Sequence, residues 1–219
     1  MIKIENIETW GFEHAIRGMR NPLNSWDKSD TLLCGNADNP DLILGKNDLD
    51  LMQRLCKAGS EHRKYLRQIF VSIDITAPLY WWKEFDTYKV GTVANSCSTM
   101  HTIHKKPFDF DDFSCEHLNE NSYLVLARTI EELNLNRALY LQTKDKVYWW
   151  QMIQLLSTSY NQKRTVTMNY ENVVNIIHQR ENHKLDEWNI FCDTMLENLP
   201  YLKEIIEYDK TNGCSKGNR

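Results

Sequence analysis

The most regular alternation of apolar and polar positions lies in the first half of the chain. Apolar side chains stand there at every second position: Ile69, Val71, Ile73 and Ile75. A period of two predicts a strand from Leu66 to Ile75 with one buried face. Thr76 is expected to cap the helix that follows, with Pro78 in the first turn, where its missing N–H costs nothing.

Weaker patterns predict the elements on either side of this strand. Before it lie a strand at residues 1–8, a helix at 10–19, a polar loop at 23–45 and a helix that Asn47 caps and Gly59 ends. After a loop at 91–104, apolar positions three and four apart predict helices at 121–133, 146–157, 170–180 and 185–199. The loop at 23–45 favours a functional role, because loops of that length are seldom idle in a compact domain.

Composition narrows the class of protein. The chain has 219 residues, of which 42% are hydrophobic. We expect one domain at residues 1–208 and a frayed polar tail at 209–219. With a formal net charge of -4, the chain lacks the basic field that holds polymeric nucleic acid. No apolar run approaches the roughly 18 residues of a membrane span, so we expect no membrane partner and a cytoplasmic location.

The cysteines and their neighbours predict no covalent or metal chemistry. The six cysteines form no C-x-x-C pair and are expected to be free thiols in a reducing compartment. Metal-ligand types occur at Cys97, His101, His104, Cys115 and His117, but their spacings match no standard zinc pattern. We expect Cys97 to be a buried, unreactive thiol.

A polar loop at Ala94–His101 carries candidate binding chemistry. Asn95, Ser96 and Ser98 have short polar side chains that favour turns and helix N-termini, where free N–H groups bind anions. The loop therefore predicts a phosphate site. The alternative is that Ser96 or Ser98 only caps a following helix.

The order of motifs around this loop resembles the central block of the flavin-dependent thymidylate synthases, the ThyX family. In that family an E-H pair, a strand, an A-P pair, a helix, an R-H-R-x-x-S motif and an N-E-x-S-x-R-Y motif follow one another. With one residue inserted near Ala94, the matching residues here are Glu61-His62, Ala77-Pro78, Thr92, Asn95 and Ser98. The resemblance implies an α+β fold, in which a small, twisted, mainly antiparallel sheet packs with several helices and the C-terminal half is rich in helix.

Several family positions carry other residue types. Thr87-Tyr88-Lys89 replaces the R-H-R triplet that holds the flavin, and Glu84 stands where a Gln helps to bind the nucleotide. In the last motif the Glu, Arg and Tyr are replaced by Ser96, Met100 and His101. Because Met cannot replace an Arg that grips a phosphate, the nucleotide phosphate must be held differently, or not at all.

A weaker resemblance to the same family lies nearer the C-terminus. Asn169, Arg180 and Glu187 agree with its closing motifs, whereas Glu171 and Glu197 stand where arginines are expected. Because Glu accepts hydrogen bonds where Arg donates them, Glu197 would suit the amino group of cytosine better than a uracil carbonyl. The alternative is that Glu197 is a solvated acid on a helix surface.

The resemblance implies a function and a set of site residues. The function is transfer of a methyl or hydroxymethyl group from methylenetetrahydrofolate to carbon five of dUMP or dCMP, with FAD as cofactor, NADPH as reductant and a homotetramer as the assembly. Asn95 and Ser98 would form the catalytic nucleotide loop. Further substrate-binding residues would be Glu84, Ser96, Arg180 and Glu197. Flavin-binding residues would be His62, Thr87, Tyr88, Lys89 and Thr92.

Two further groups of side chains have competing interpretations. Arg17, Arg20 and Lys28 border the long polar loop and either clamp a phosphate or flavin, a role that we assign to Arg20, or are solvated. The pairs Trp81-Trp82 and Trp149-Trp150 are stacking platforms, core or interface aromatics, or the surface of an oligomeric adaptor. The main alternative function is a ThyX-like protein that binds nucleotide or flavin without methyl transfer.

Overall fold

The computed structural model describes residues 1–36 and 39–207. The strands are β1 (Lys3–Trp10), β2 (Leu32–Asn36), β3 (Asn39–Ile43), β4 (Phe70–Pro78), β5 (Val93–Ser96) and β6 (Asn161–Asn169). The helices are α1 (Phe12–Arg20), α2 (Lys46–Lys57), α3 (Leu79–Phe85), α4 (Thr99–Thr102), α5 (Glu120–Thr143), α6 (Lys146–Leu155), α7 (Tyr170–Arg180), α8 (Asp186–Asn198) and α9 (Leu202–Ile206). Short 3-10 helices occupy Asn21–Leu23, Trp26–Lys28, Arg63–Gln68 and Phe110–Asp112. The predicted tail at 209–219 lies outside the described residues.

Four strands form one sheet in the order β1-β4-β6-β5, and β2 pairs with β3 in a separate antiparallel hairpin. At one end of the β4–β6 pair, Leu79 N donates to Tyr160 O; at the other end, Tyr170 N donates to Ile69 O. From Ile69 to Leu79 the residue number increases, while the number of the hydrogen-bonded partner decreases from Tyr170 to Tyr160. The two strands are therefore antiparallel. The predicted α+β class with a small antiparallel sheet is confirmed.

The central strand β4 confirms the alternating pattern but not its predicted ends. Val71, Ile73 and Ile75 are completely buried. The strand begins at Phe70, because residues 63–68 form a 3-10 helix, and it continues to Pro78. Thr76 therefore lies inside the strand, and Pro78 precedes α3 instead of entering its first turn.

Other parts of the secondary structure differ from the prediction. The loop at 23–45 contains the β2–β3 hairpin, and the loop at 91–104 contains β5 and α4. Strand β6 and helix α9 were not predicted, and α5 extends beyond its predicted end to Thr143. These strands owe their conformation to pairing partners rather than to a clear local period. Helix α7 has the predicted bounds.

Residue contacts divide the chain into two compact units. The first unit comprises residues 1–5, 74–89 and 94–166, and the second comprises 6–73, 90–93 and the chain from 167. In the first unit, α5 and α6 pack over a core that includes Phe108 and Phe113. In the second, Phe12 packs edge-on against Tyr170, with 5.5 Å between ring centroids. One domain over residues 1–208 stays a prediction.

The cysteines at 34, 56, 97, 115 and 192 are free thiols, as expected. Cys97 is exposed, however, so its predicted burial is wrong. It directly follows β5, whose residues are all exposed at the edge of the sheet. Within the described ranges, no group of three His, Cys, Asp or Glu side chains is placed to hold a metal ion, and no helix has the length and apolarity of a membrane span.

A buried carboxylate ties α2 to the polar segment before the hairpin. Asp48 is completely buried and accepts hydrogen bonds from Arg20 Nε (2.6 Å), Ser29 Oγ (2.8 Å) and Thr31 Oγ1 (2.7 Å). The backbone N–H groups of Asp30 and Thr31 donate to the same carboxylate. Burial alone would raise the pKa of Asp48, but these donors outweigh it and hold the pKa below its usual range.

Asp30, rather than the predicted Asn47, caps α2. Gly45 occupies the N-cap position without a side-chain bond, and the Asp30 carboxylate accepts from Asn47 N (2.9 Å) and Asp48 N (3.1 Å). A Cβ atom at Gly45 would lie 2.1 Å from Asp30 Oδ1, so the glycine makes room for this cap. Asp30 and Asp48 thus each fix the segment that carries the other.

We expect Asp48→Asn to destabilise the protein by about 3–5 kcal/mol, because a neutral amide leaves the Arg20 guanidinium as a buried charge without a counterion. Urea unfolding measures the change. Asp50→Asn is the matched control, since Asp50 pairs with Arg54 on the exposed surface of the same helix and should change stability little. Equal losses in the two variants would contradict the assigned role of Asp48.

The same carboxylate predicts a dependence of stability on pH. Because the folded pKa of Asp48 is lowered, its stabilisation is fully present above the unfolded value of about 3.9 and is lost as the pH falls through the folded value. The free energy of unfolding of Asp48→Asn should therefore fall less steeply in acid than that of the parent protein. Parallel acid profiles would contradict this expectation.

Candidate functional site

The predicted nucleotide loop lies at the sheet edge, and its exposed residues Asn95 and Ser96 belong to the first unit. Just beyond β5, Cys97 N donates to Lys163 O (2.9 Å), and Gln162 Nε2 donates to Cys97 O (2.9 Å). These bonds fix the backbone of the loop against β6. The side chains of Asn95 and Ser96 remain accessible to a ligand.

Ser98 begins the short helix α4. Its Oγ accepts a hydrogen bond from His101 N (3.2 Å), so Ser98 caps α4, whereas Ser96 lies in β5. The binding role of Ser98 stays a prediction. A hydroxyl group has one donor and two acceptor positions. The cap uses one acceptor position and leaves the Ser98 O–H available to donate.

The segment that replaces the flavin-binding triplet follows α3 in the first unit. The Glu84 carbonyl accepts from Thr87 N (3.1 Å) and Thr87 Oγ1 (2.7 Å), which turns the chain at the helix end. The Tyr88 ring lies 6.2 Å from that of Phe85. Thr87 and Lys89 are exposed, and Lys89 forms no ion pair with a described residue.

The tryptophans of α3 lie in the core, as one of the competing interpretations proposed. Trp81 and Trp82 are 0% and 1% exposed, and Trp82 Nε1 donates to Gln162 O (2.8 Å). The Arg164 guanidinium stacks above Trp82 at 4.2 Å from the ring centroid and pairs with Asp86. These two tryptophans therefore cannot serve as a surface for stacking or for adaptor binding.

In the second unit, the start of α7 brings two family-matched residues together. Asn169 caps α7 by accepting from Asn172 N (3.0 Å), and Asn172 Nδ2 donates to Val90 O (2.5 Å) and to Thr92 Oγ1 (3.1 Å). Gly91, between these two acceptors, has a φ of 74°. A Cβ atom on Gly91 would lie 2.9 Å from Asn169 Nδ2. The 90–92 segment therefore lies directly against the helix cap.

The acid that replaces a family arginine is neutralised within the second unit. Glu171 accepts hydrogen bonds from Arg63 Nε (3.3 Å) and from Arg67, and Arg63 Nη2 also donates to Asn175 Oδ1 (3.0 Å). Burial opposes ionisation of Glu171, but the bonds and charges of Arg67 and Arg63 hold its pKa below its usual range. Sequence reasoning missed both arginines. The detectable signal was two cations shortly after Glu61-His62, together with an acid at a family arginine position.

The other predicted residues of the second unit lie on three different helices and in the turn before a 3-10 helix. Arg20 is buried at the end of α1 in its pair with Asp48, and His62 is exposed before the 3-10 helix at 63–68. Arg180 ends α7, with its guanidinium carbon 4.7 Å from the centroid of the Trp188 ring. Glu197 is exposed on α8, the placement expected of a solvated acid. The binding roles of these residues stay predictions.

This architecture is similar to that of solved nucleotide-binding enzymes. Two crystal structures of ThyX from Helicobacter pylori with FAD and dUMP match it. One has a TM-score of 0.67 and 16% sequence identity, and the match covers 93% of this chain and 96% of that chain. The other has a TM-score of 0.65 and 17% sequence identity, and the match covers 91% of this chain and 96% of that chain. A third is a UMP/dUMP methylase, PolB from Streptomyces cacaoi bound with 5-Br dUMP, with a TM-score of 0.62 and 13% identity over 94% and 95%.

These similarities establish the class of fold. No protein-family model matches the sequence, and no curated protein matches it. With identities of 13–17%, the solved structures show that the chain has a ThyX-like fold.

Gly91→Ala should disturb the contact between the 90–92 segment and α7. Alanine at a positive φ costs about 1–2 kcal/mol, and displacing the Asn172 bonds should add about 0.5–1.5 kcal/mol. Urea unfolding gives the total, and hydrogen exchange of residues 90–92 reports the local loss.

Gly59→Ala is the matched control for this substitution. Gly59 has a φ of 104°, and no atom lies within 4 Å of an added Cβ. An alanine there is therefore strained in its backbone but does not crowd a neighbouring residue. If Gly59→Ala destabilises as much as Gly91→Ala, the close approach of Gly91 to Asn169 does not matter for stability.

Proposed function

We propose that this protein transfers a methyl or hydroxymethyl group from methylenetetrahydrofolate to carbon five of dUMP or dCMP, with FAD as cofactor and NADPH as reductant. The observation that carries the proposal is the ThyX-like fold over more than 90% of the chain, with Asn95, Ser98 and Thr92 at matching motif positions. The similar ThyX structures contain FAD and dUMP. A homotetramer is part of the proposal; the exposed Leu124, Val125 and Leu135 of α5 suit a subunit contact.

The residues of the second unit suit the phosphates of a flavin. Glu171 contributes one negative charge, but its partners Arg63 and Arg67 leave one positive charge in excess in the group of three. The acid therefore does not make this region repel an anion. We place Thr92 and His62 near the flavin. Arg20 is a weaker candidate, because two of its guanidinium nitrogens already donate to Asp48 and Ser25.

In the first unit, Lys89 is the cation left at the position of the family triplet. It is exposed and is free to approach a phosphate, with Tyr88 beside it. The Thr87 hydroxyl already donates to the Glu84 carbonyl, so it could only accept a hydrogen bond from a ligand. For methyl transfer, a bound flavin would supply the electrons that reduce the transferred carbon, whereas hydroxymethyl transfer needs no reduction. The protein's own contribution is to bind and orient the two ring systems.

The nucleotide would be held by neutral donors rather than by a family arginine. Asn95 offers an amide, and Ser98 offers the O–H that its capping bond leaves unused. Ser96 and Glu84 would contact the same ligand, and the substrate-binding role of Arg180, in the second unit, stays a prediction. Met100, which replaces a family Arg, is 51% exposed and offers no donor. We therefore expect weaker phosphate binding than a bidentate arginine would give.

The replacement of a family arginine by Met100 also favours the alternative function, a ThyX-like protein that binds nucleotide or flavin without methyl transfer. The oligomeric adaptor has less support, because Trp81 and Trp82 are buried. Only Trp150 among the four tryptophans is strongly exposed, at 43%. The transferase and the non-catalytic binding protein would both bind nucleotide or flavin, and only the transferase would turn over its substrate.

A flavin titration followed by an isotope assay tests the proposal. We expect the purified protein to bind FAD, with a shifted flavin absorption spectrum, and to release tritium from carbon five of labelled dUMP or dCMP when methylenetetrahydrofolate and NADPH are added. FAD binding without tritium release would favour the non-catalytic alternative. Absence of FAD binding would refute the flavin-dependent proposal.

The two labelled nucleotides also test the role of Glu197. If its carboxylate faces the base, Glu197→Gln should reduce release from dCMP more than release from dUMP, because a carboxylate accepts from the cytosine amino group. Release from dUMP alone by the parent protein would refute the cytosine preference.

Ser98 is tested with two substitutions that separate capping from nucleotide binding. Ser98→Ala removes both the cap and the hydroxyl donor, whereas Ser98→Asn retains a capping oxygen. Loss of one neutral hydrogen bond costs about 0.5–1.5 kcal/mol, so Ser98→Ala should weaken dUMP binding by about twofold to tenfold, whereas Ser98→Asn, whose amide can still donate, should weaken it less. Calorimetric titration measures the Kd. Binding of dUMP to Ser98→Ala as tightly as to the parent protein would show that Ser98 acts only as a cap.

A further inference from the structure

A cavity in the second unit shares, among its described lining residues, only Arg20 with the residues assigned to the proposed reaction. It has a volume of about 500 Å³ and lies against α1 and the β2–β3 hairpin. Cavities of a few hundred Å³ accommodate small organic ligands. Its wall includes three aliphatic side chains, an indole and two guanidinium groups: Ile16, Leu33, Leu42, Trp26, Arg17 and Arg20.

The register of the hairpin explains its apolar wall. Leu33 and Leu42 are direct cross-strand partners in β2 and β3, so their side chains leave the hairpin on the same face. Leu32 pairs with Ile43, and because successive side chains of a strand point to opposite faces, these two lie on the other side. One face of the hairpin therefore supplies the cavity, and the other does not.

Arg20 gives the cavity a polar group without a partner. Nε donates to Asp48 Oδ1 (2.6 Å) and Nη1 donates to Ser25 O (3.1 Å), but the buried Nη2 has no acceptor among the described residues. Arg20 is only 4% exposed. A buried guanidinium N–H without an acceptor is costly, so a ligand atom that reaches Nη2 from the cavity and accepts its hydrogen would relieve this cost.

The remaining groups define the ligand. Trp26 presents an indole whose Nε1 donates to Asn21 Oδ1 (2.9 Å), which holds the ring in place, and such a ring favours a planar apolar partner. Arg17 adds a second donor group. Glu13 opposes an anion from the same wall, and Asp48 neutralises Arg20, so binding of an anion depends on directed hydrogen bonds from the arginines and not on a net positive charge.

We propose that this cavity binds a small organic anion with a planar apolar body, an aryl carboxylate or aryl phosphate, whose charged end accepts hydrogen bonds from Arg20 and Arg17. The site goes beyond the proposed transfer reaction, since Arg20, a weaker flavin candidate, is the only residue assigned to that reaction among the described residues that line it. Carboxylate and phosphate offer the same acceptor chemistry, and the probes distinguish them.

Calorimetric titration of the 219-residue protein with benzoate, phenyl phosphate, inorganic phosphate and benzyl alcohol tests the site. We expect at least one of the two aryl anions to bind about tenfold more tightly than inorganic phosphate, which lacks the apolar body, and than benzyl alcohol, which lacks the charge. Equal binding of inorganic phosphate, or no detectable binding of either aryl anion, would overturn the proposal.

The hairpin provides matched variants. Leu33→Glu places a carboxylate in the cavity and should weaken aryl-anion binding by about tenfold or more, while Leu32→Glu places the same charge on the opposite face and should not. Both side chains are more than half exposed, so neither change threatens the fold. Glu13→Gln removes the opposing charge and should tighten binding. Equal effects of the two leucine substitutions would refute this location.

A repeat titration with saturating FAD and dUMP separates this site from the proposed active site. Unchanged affinity for the aryl anion supports a distinct site, and competition would overturn it. If FAD and dUMP fail to bind, the flavin-dependent proposal fails, while the titrations and variants described above still decide whether the cavity binds aryl anions.

Discussion

The N-terminal part of the second unit depends on the buried Asp48 carboxylate. It is the counterion for a guanidinium that would otherwise be an isolated buried charge, and it accepts donors from residues 29–31. A polar segment can lie against a core only if its polar groups find partners. The hairpin begins at Leu32, directly after this segment, so the carboxylate also determines where the cavity-lining strands start.

How far the sequence predicts the fold depends on whether an element is specified locally. β4 was predictable because its alternation extends over several residues, and α7 because its apolar positions follow one helical face. The β2–β3 hairpin was not, since Leu32 and Leu33 are adjacent apolar residues and give no alternation. Asp48 looks like an ordinary surface acid in a helical pattern, and only its distant partners show that it is buried.

The candidate site shows the same division. The tendency of Ser98 to begin a helix follows from its residue type, and its capping bond is local. The neutralisation of Glu171 is not local, because Arg63 and Arg67 precede it by more than a hundred positions. A substitution that reverses a charge at a family position thus gives little information about the local field until its partners in the folded chain are known.

The bond between Asn172 and Thr92 has a consequence for the order of folding. The two residues are 80 positions apart, and the amide of Asn172 is oriented by the first turn of α7. Closing a loop of that length early would cost chain entropy before the contact returned any stability. We therefore expect the 90–92 segment to become ordered late, after α7 has formed. In a kinetic experiment, substitutions there should accelerate unfolding and leave the refolding rate nearly unchanged.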